Sequence, residues 1–280
     1  MKKRILILPL VLAAMLLVSA AAFIIPSGAA TPAIKVSYNN KEITNPKSLL
    51  INSVTYVPLR AMSEMMGVYN ITWDQKTQTA SISTNGLKLS AKVGNLYITA
   101  NDRCFYTVGK ILNIDGRVYV PIRPMARAFG LDVLWDGATY SVMLTDSGSG
   151  YCKHGSEYYD VDSLYWLSRI ISAEAEVEPM PGKIAVGNVV LNRVASRDYP
   201  NSVYAVIFDR KHGIQFTPVA TGTIYNTPSQ ESIVAAKICL EGYSLSDEIL
   251  FFYNPKEATS SWIARNRPYV MTIENHKFYK

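Results

Sequence analysis

Hydrophobic and polar positions along the chain follow three different patterns. Met1-Lys2-Lys3-Arg4 is basic, Ile5 to Val18 is apolar without a charge, Ser19-Ala20-Ala21-Ala22 is small, and the apolar run resumes at Phe23-Ile24-Ile25. A basic start, an apolar stretch and small residues form an export signal, while about 20 apolar residues also have the length of a membrane anchor. Residues 1–30 therefore read as a signal peptide, cleaved after Ala22 or Ala30 or retained as an anchor. From residue 31 short alternating stretches predict strands. From about residue 152 apolar residues spaced by three and four predict helices. Asp146-Ser147-Gly148-Ser149-Gly150 separates the two regimes with a run that has almost no side chain to bury, so residues 147–151 are read as a linker.

The strand-rich half repeats itself. Val57-Pro58-Leu59-Arg60 returns as Val120-Pro121-Ile122-Arg123, 63 positions later, and Met62, Gly67 and Trp73-Asp74 return as Met125, Gly130 and Trp135-Asp136. Each copy predicts a strand, a proline opening a short helix, a glycine closing it and a return strand, Thr79–Ser83 in the first copy and Tyr140–Leu144 in the second. Two such units pair into one α+β domain over residues 31–146. Trp73 and Trp135 are read as packing residues rather than sugar-stacking ones.

In the second half, Leu164, Leu167 and Ile171 form one stripe behind a helix cap at Asp160 or Asp162. Extended, that stripe reaches Glu174 and then Glu178, while Glu176 lies about 200° around the helix from Glu174. A carboxyl at the edge of an apolar face is desolvated, which keeps a general acid protonated near neutrality. Pro179, Pro181 and Gly182 interrupt the helix. Ile184, Gly187, Leu191 and Val194 start a second, with Gly187 permitting close packing, and Thr227-Pro228-Ser229-Gln230 signals a third that ends near Gly242. Residues 152–280 thus read as a mainly helical domain with a cleft lined by loops.

Composition narrows the chemistry. Hydrophobic residues make up 49% and charged residues 18%, with scattered proline and glycine, as in ordinary globular chains rather than disordered or collagenous ones. The formal charge is +6, half of it in Lys2, Lys3 and Arg4, too weak for nucleic-acid binding. Cys104, Cys152 and Cys239 are an odd number without metal-ligand spacing, and the three histidines lack paired spacing. No disulfide framework, metal site or other cofactor is expected. Cys239, between Ile238 and Leu240, reads as a small core residue, and no Gly-x-Ser-x-Gly elbow is present. A carboxylate-centred site remains.

Two resemblances sharpen this reading. Val57-Pro58-Leu59-Arg60 and its repeat resemble the domain named after the N-terminal region of copper amine oxidases, an accessory module of exported bacterial proteins. That resemblance implies targeting or presentation, without copper. Ala173-Glu174-Ala175-Glu176-Val177-Glu178-Pro179, Gly182, Val190-Leu191-Asn192-Arg193-Val194, Gln215-Phe216-Thr217-Pro218, Phe252-Tyr253-Asn254-Pro255, Ala258-Thr259-Ser260, Trp262 and Asn275-His276 resemble, in register, the cell wall hydrolase family of spore cortex-lytic enzymes. The family commonly has Arg-Gly where this chain has Glu176-Val177.

The second resemblance implies a lysozyme-like fold, peptidoglycan glycan strands as substrate, and Glu174 as catalytic acid. It favours a lytic transglycosylase, which needs one carboxyl. A hydrolytic muramidase or glucosaminidase would need a second, with Asp198, Asp209 and Glu257 as candidates, and a non-catalytic wall-binding protein is the reading outside the enzymes. Glu178, Gln215, Phe216, Tyr253, Asn254, Trp262 and His276 are expected to contact substrate in the cleft. The expected location is the cell wall or a spore layer, with wall or spore-layer proteins as further partners and membrane contact only through an uncleaved N-terminal segment.

Overall fold

Two proline-terminated strands organise the first half. A computed structural model describes residues 33–280 except 40, 45, 46, 212 and 259; the export segment predicted at residues 1–30, and Thr259, lie outside the described residues. No helix among the described residues is long and apolar enough to cross a membrane. Strands Ala33–Tyr38 (β1), Lys41–Glu42 (β2), Ser48–Ile51 (β3) and Val54–Pro58 (β4) lead into helix Leu59–Met65 (α1). Ile71–Asp74 (β5), Thr79–Thr84 (β6), Leu87–Lys92 (β7), Tyr97–Ala100 (β8) and Arg103–Tyr106 (β9) follow. Leu112–Ile114 (β10) and Arg117–Pro121 (β11) lead into helix Ile122–Phe129 (α2), and Leu131–Asp136 (β12) and Ser141–Asp146 (β13) complete this half.

Pro58 and Pro121 each end a strand at the cap position of the next helix, where the missing N–H is no loss. Gly67 and Gly130 leave those helices at φ 78° and 71°, a conformation glycine adopts without strain. The turns before β4 and β11 have Asn52-Ser53 and Asp115-Gly116 at positive φ, as two-residue hairpin turns require. The strands β4 and β11 pair antiparallel, Val57 opposite Val120, in a sheet ordered β10-β11-β4-β3-β1-β13-β12 with β2 on β1. The return strands then diverge. β12 and β13 stay in that sheet, β13 running parallel to β1, whereas β5 and β6 join β7, β8 and β9 in a second five-stranded sheet.

Trp73 and Trp135 are not core residues. They are 39% and 38% exposed, because their strands turn them outward while Met62, Met125, Val57 and Val120 fill the interior.

The helical half contains Gly155–Tyr158 (α3), Val161–Ala175 (α4), Met180–Ala195 (α5), Val203–Ile207 (α6), Thr217–Thr221 (α7), Gln230–Leu240 (α8) and Trp262–Asn266 (α9). A small sheet of Phe251–Tyr253 (β14), Tyr269–Ile273 (β15) and His276–Tyr279 (β16), ordered β14-β16-β15, closes it. Asp160 caps α4 by accepting from the Ser163 N–H at 2.7 Å. Pro181 lies inside the first turn of α5, so the interruption between α4 and α5 is shorter than expected. α8 starts at Gln230 with Ser229 as its cap, which places Pro228 before the helix rather than at its first position. A Cβ on Gly187 would stand 2.6 Å from Cys239 Sγ and 2.9 Å from Ile171 Cδ1, so glycine lets α4, α5 and α8 meet.

The segment read as a linker is docked, not free. Ser147 donates to the Gly130 carbonyl through both N and Oγ, Cys152 N donates to Ala128 O, and Gly155 N donates to Asn101 O. A Ser/Gly run has little to bury, but its backbone donors still need acceptors, and the end of α2 and the β8–β9 turn supply them. Glu241, 1% exposed at its side chain, receives Arg103 at 2.7 Å, Arg127 at 2.8 Å and the Tyr159 hydroxyl at 2.7 Å. Lys237 reaches Asp102 at 2.6 Å, and the Tyr106 and Tyr243 rings lie 4.2 Å apart. Cys104 of β9 belongs to the core of the helical half, and burial pushes its thiol up to about 12.

Candidate active site

The packing of α4 places its last turn. Leu167, Ile170 and Ile171 are fully buried against α5 and α8, and the same stripe carries Glu174 to a half-buried position one residue before the helix ends. Desolvation, with a smaller contribution from the negative charge of Glu257, pushes its carboxyl from 4.5 up to about 7. A carboxyl poised near neutrality can give and retake a proton at low cost. Glu257 stands in the turn after β14, where Asn254 O accepts from the Glu257 and Ala258 N–H groups and Asn254 Oδ1 from Lys256 N. Glu176 is exposed, in keeping with its angle on the helix.

Four residues after Glu174 the chain does something different with a carboxylate. Glu178 is 3% exposed; its Oε1 accepts from Asn275 Nδ2 at 2.9 Å and lies 3.8 Å from His276 Nδ1. Burial lowers the His276 pKa despite the opposing pull of Glu178, so the ring is neutral near pH 7 and the contact is not an ion pair. Phe252 meets that ring edge-on at 5.3 Å. Glu178 thus anchors the β15–β16 turn to the α4–α5 turn. A Cβ on Gly182 would come within 2.9 Å of Glu178 Cβ and 3.2 Å of its Oε2, so the glycine makes room for this anchor.

Sequence reasoning missed Lys183. It is 1% exposed, and its ammonium donates to the Glu176 and Glu178 carbonyls and pairs with Glu231 Oε2, the last at 3.2 Å. A cation on the orphan carbonyls beyond a helix end satisfies them and complements the helix dipole. A single lysine after Pro-Gly carries no local signal of that role.

Three residues expected to contact substrate are interior. Phe216 is 3% exposed, between Phe252 at 6.5 Å and the Arg193 guanidinium at 5.2 Å; the apolar side chain at the start of α7 is drawn into the core. Glu178 and His276 are taken up by the anchor just described. Gln215, half-buried, bonds its own loop at Gly213 O. Tyr253 and Asn254 are half-buried on β14 and its turn, the Tyr253 ring 5.8 Å from Tyr279. Trp262 is 48% exposed at the start of α9, with the Arg267 guanidinium 5.4 Å from its ring centre. Cys239 is fully buried and its thiol pKa is raised by burial, which makes it inert as a nucleophile.

Comparison with known proteins adds to this geometry. Residues 177–279 match the cell wall hydrolase family, a segment that begins three residues after Glu174, and residues 37–144 match the copper amine oxidase N-terminal domain. The spore cortex-lytic enzyme of Bacillus cereus is 36% identical over 122 residues, covering 44% of this chain and 46% of that protein. The spore cortex-lytic enzyme of Bacillus subtilis is 39% identical over 112 residues, covering 40% and 35%. The chain therefore spans less than half the length of these relatives. A solved structure described as the catalytic domain of a germination-specific lytic transglycosylase from Bacillus anthracis is 36% identical, covers 44% of this chain and 97% of that one, and superposes with a TM-score of 0.40.

Proposed function

We propose that this chain, which joins a copper amine oxidase N-terminal domain to a cell wall hydrolase domain, is an exported enzyme that cleaves the glycan strands of peptidoglycan by lytic transglycosylation, with Glu174 as acid and base. The observation that carries the reading is a half-buried carboxyl, pushed up to about 7, in the last turn of α4. Protonated, Glu174 gives its proton to the bridging oxygen as the bond from that oxygen to C1 breaks. The resulting carboxylate then removes the proton of the same sugar's C6 hydroxyl, whose oxygen closes on C1. The proton returns to Glu174, no water is consumed, and one strand becomes two with an anhydro end on one of them. The relatives named as spore cortex-lytic enzymes favour cortex as the natural wall.

In this reading the helical half is lysozyme-like, with Tyr253, Asn254, Trp262 and Gln215 along the cleft that receives the glycan. The strand-rich half is a duplicated strand-helix-strand module, supported by the equivalent β4–α1 and β11–α2 joints. Hydrolysis is the second reading, and a specific observation favours keeping it: Glu257 lies close enough to raise the Glu174 pKa and could orient a water. Product masses separate the two. Purified chain acting on wall glycan should release fragments lighter by one water than reducing-end fragments. Reducing ends alone would make it a hydrolase, and no fragments from any wall preparation would remove the enzymatic reading.

A further inference from the structure

The strand-rich half carries two grooves built around equivalent residues of the two repeats. The first is lined by Pro58, Leu59, Arg60 and Trp73 from one repeat and by Gly116, Arg117 and Val118 from the other. The second is lined by Pro121, Ile122, Arg123 and Trp135 from the second repeat and by Ser53, Val54 and Thr55 from the first. At the repeat spacing of 63, with one residue fewer at the tryptophans, these are the same positions with the repeats exchanged. The cause is the β4–β11 pairing. An antiparallel pair with Val57 opposite Val120 has a local two-fold between those residues, so whatever one repeat builds beside the other's turn is built twice.

Both grooves present an aromatic face beside guanidinium groups. Trp73 is fixed by donating from Nε1 to Gln75 Oε1 at 2.8 Å, and Trp135 by an edge-on contact with Tyr140 at 6.0 Å. Tyr140 beside Trp135 is also exposed, at 52%, so the two rings present an apolar surface with no packing role. Arg60 and Arg117 line the first groove with one acid, Glu64; Arg123 and Arg127 line the second with none. Arg127 is engaged by Glu241 at 2.8 Å, which leaves Arg123 as the guanidinium available there. The second groove is the larger, about 710 Å³ against about 260 Å³, and Tyr243 of the helical half forms part of its wall. Its volume is in the range of small-ligand sites, and the first falls just below.

We propose that these grooves are two equivalent binding sites for a glycan strand bearing carboxylates, and that they hold the polymer while the helical half cleaves it. The apolar face of a sugar ring stacks on an indole, and a guanidinium pairs a carboxylate in two-pronged fashion. Peptidoglycan has a lactyl group on alternate sugars, whose carboxyl is a free carboxylate wherever the stem peptide has been removed, and a repeating polymer is the ligand for which a duplicated site increases avidity. The inference rests on the reading of wall glycan as substrate.

The test uses the full chain with Glu174→Gln, so that the polymer stays intact, sedimented with purified insoluble wall. Trp135→Ala should weaken binding about tenfold and Trp73→Ala less, and the double variant should lose at least ~10²-fold as avidity disappears. Arg123→Gln should weaken binding most on wall whose lactyl carboxyls are free. Wall stripped of stem peptides by an amidase, which frees the lactyl carboxyls, should bind as well or better. Unchanged sedimentation of the double variant overturns the proposal, and so does loss of binding with the peptides, which would make the occupant a peptide. The same tryptophan changes in the chain with Glu174 intact should leave cleavage of short soluble glycans unchanged, which also shows that the chain is folded. Absence of that cleavage in the parent chain would refute the enzymatic reading without touching the binding result.

Discussion

The last turn of α4 and the turn that follows it each hold a glutamate taken out of water, and they hold it in opposite ways. Glu174 has its acidity set by desolvation and a neighbouring negative charge; Glu178, more deeply buried, is held by Asn275 and closed in by Gly182 and His276. Burial alone therefore does not identify the catalyst. A buried carboxylate with a donor on it serves the fold, whereas one whose proton is held by an apolar surround is ready for transfer.

The largest expected effect breaks the comparison at its first member. Glu174→Gln keeps the shape and removes the transferable proton, so wall cleavage should fall by at least ~10²-fold with an unchanged circular dichroism spectrum. Clearing of a wall suspension at the parental rate would take catalysis away from Glu174. Glu178→Ala should act on stability instead. It strands Asn275 and opens a void beside Gly182, and losing a buried, hydrogen-bonded carboxylate destabilises by about 3 kcal/mol, read from denaturant midpoints. Activity per folded molecule should then drop less than in Glu174→Gln. Gly182→Ala is the milder version of the same lesion: its new Cβ presses on Glu178 at 2.9 Å, an overpacking worth about 1–2 kcal/mol.

What the residue pattern revealed and what it concealed follow the same division. Glu174 was legible because Leu164, Leu167 and Ile171 define a face, and a face can be extended by counting. The proline and glycine marks at 58, 67, 121 and 130 were legible because they act on their own backbone. Phe216 and His276 were not, since an aromatic residue in a loop motif reads the same whether it turns in or out. Their burial depends on Phe252 and Glu178, 36 and 98 residues away. The joint between the halves was also hidden. Arg103 and Glu241 are 138 residues apart, and nothing local distinguishes them from solvated charges. Because of that joint, removing the strand-rich half would strand a buried Glu241 without Arg103 and Arg127, take Cys104 out of the helical core and bare Tyr243.

A smaller change sharpens the comparison from the side of the neighbouring charge. Glu257→Gln removes the like charge that helps hold the Glu174 proton, so the alkaline limb of the pH–rate profile should move down by a fraction of a unit, with the maximal rate within a few-fold of the parent. A loss as deep as that of Glu174→Gln would instead make Glu257 the second carboxyl of a hydrolase.

The smallest expected effect tests the acidity of Glu174 without an assay of cleavage. Its pKa is about 7 in the folded chain against 4.5 for the free group, so the folded state binds this proton more tightly than the unfolded state. The sign follows from linkage: stability from this site is fully present below pH 4.5, declines as pH rises, and is lost once pH passes 7, where the fold must hold a poorly solvated anion. Glutamine carries no such anion. Glu174→Gln should therefore melt higher than the parent at pH 8, by a margin that shrinks towards pH 4.5. Because Glu174 is half-buried rather than sealed, solvent screening reduces the gain to about 1 kcal/mol, which is a few degrees in a chain of this size. Melting differences that are equal at pH 5 and pH 8 would mean an ordinary carboxylate at the end of α4, and Glu174 would lose the property that sets it apart from Glu178.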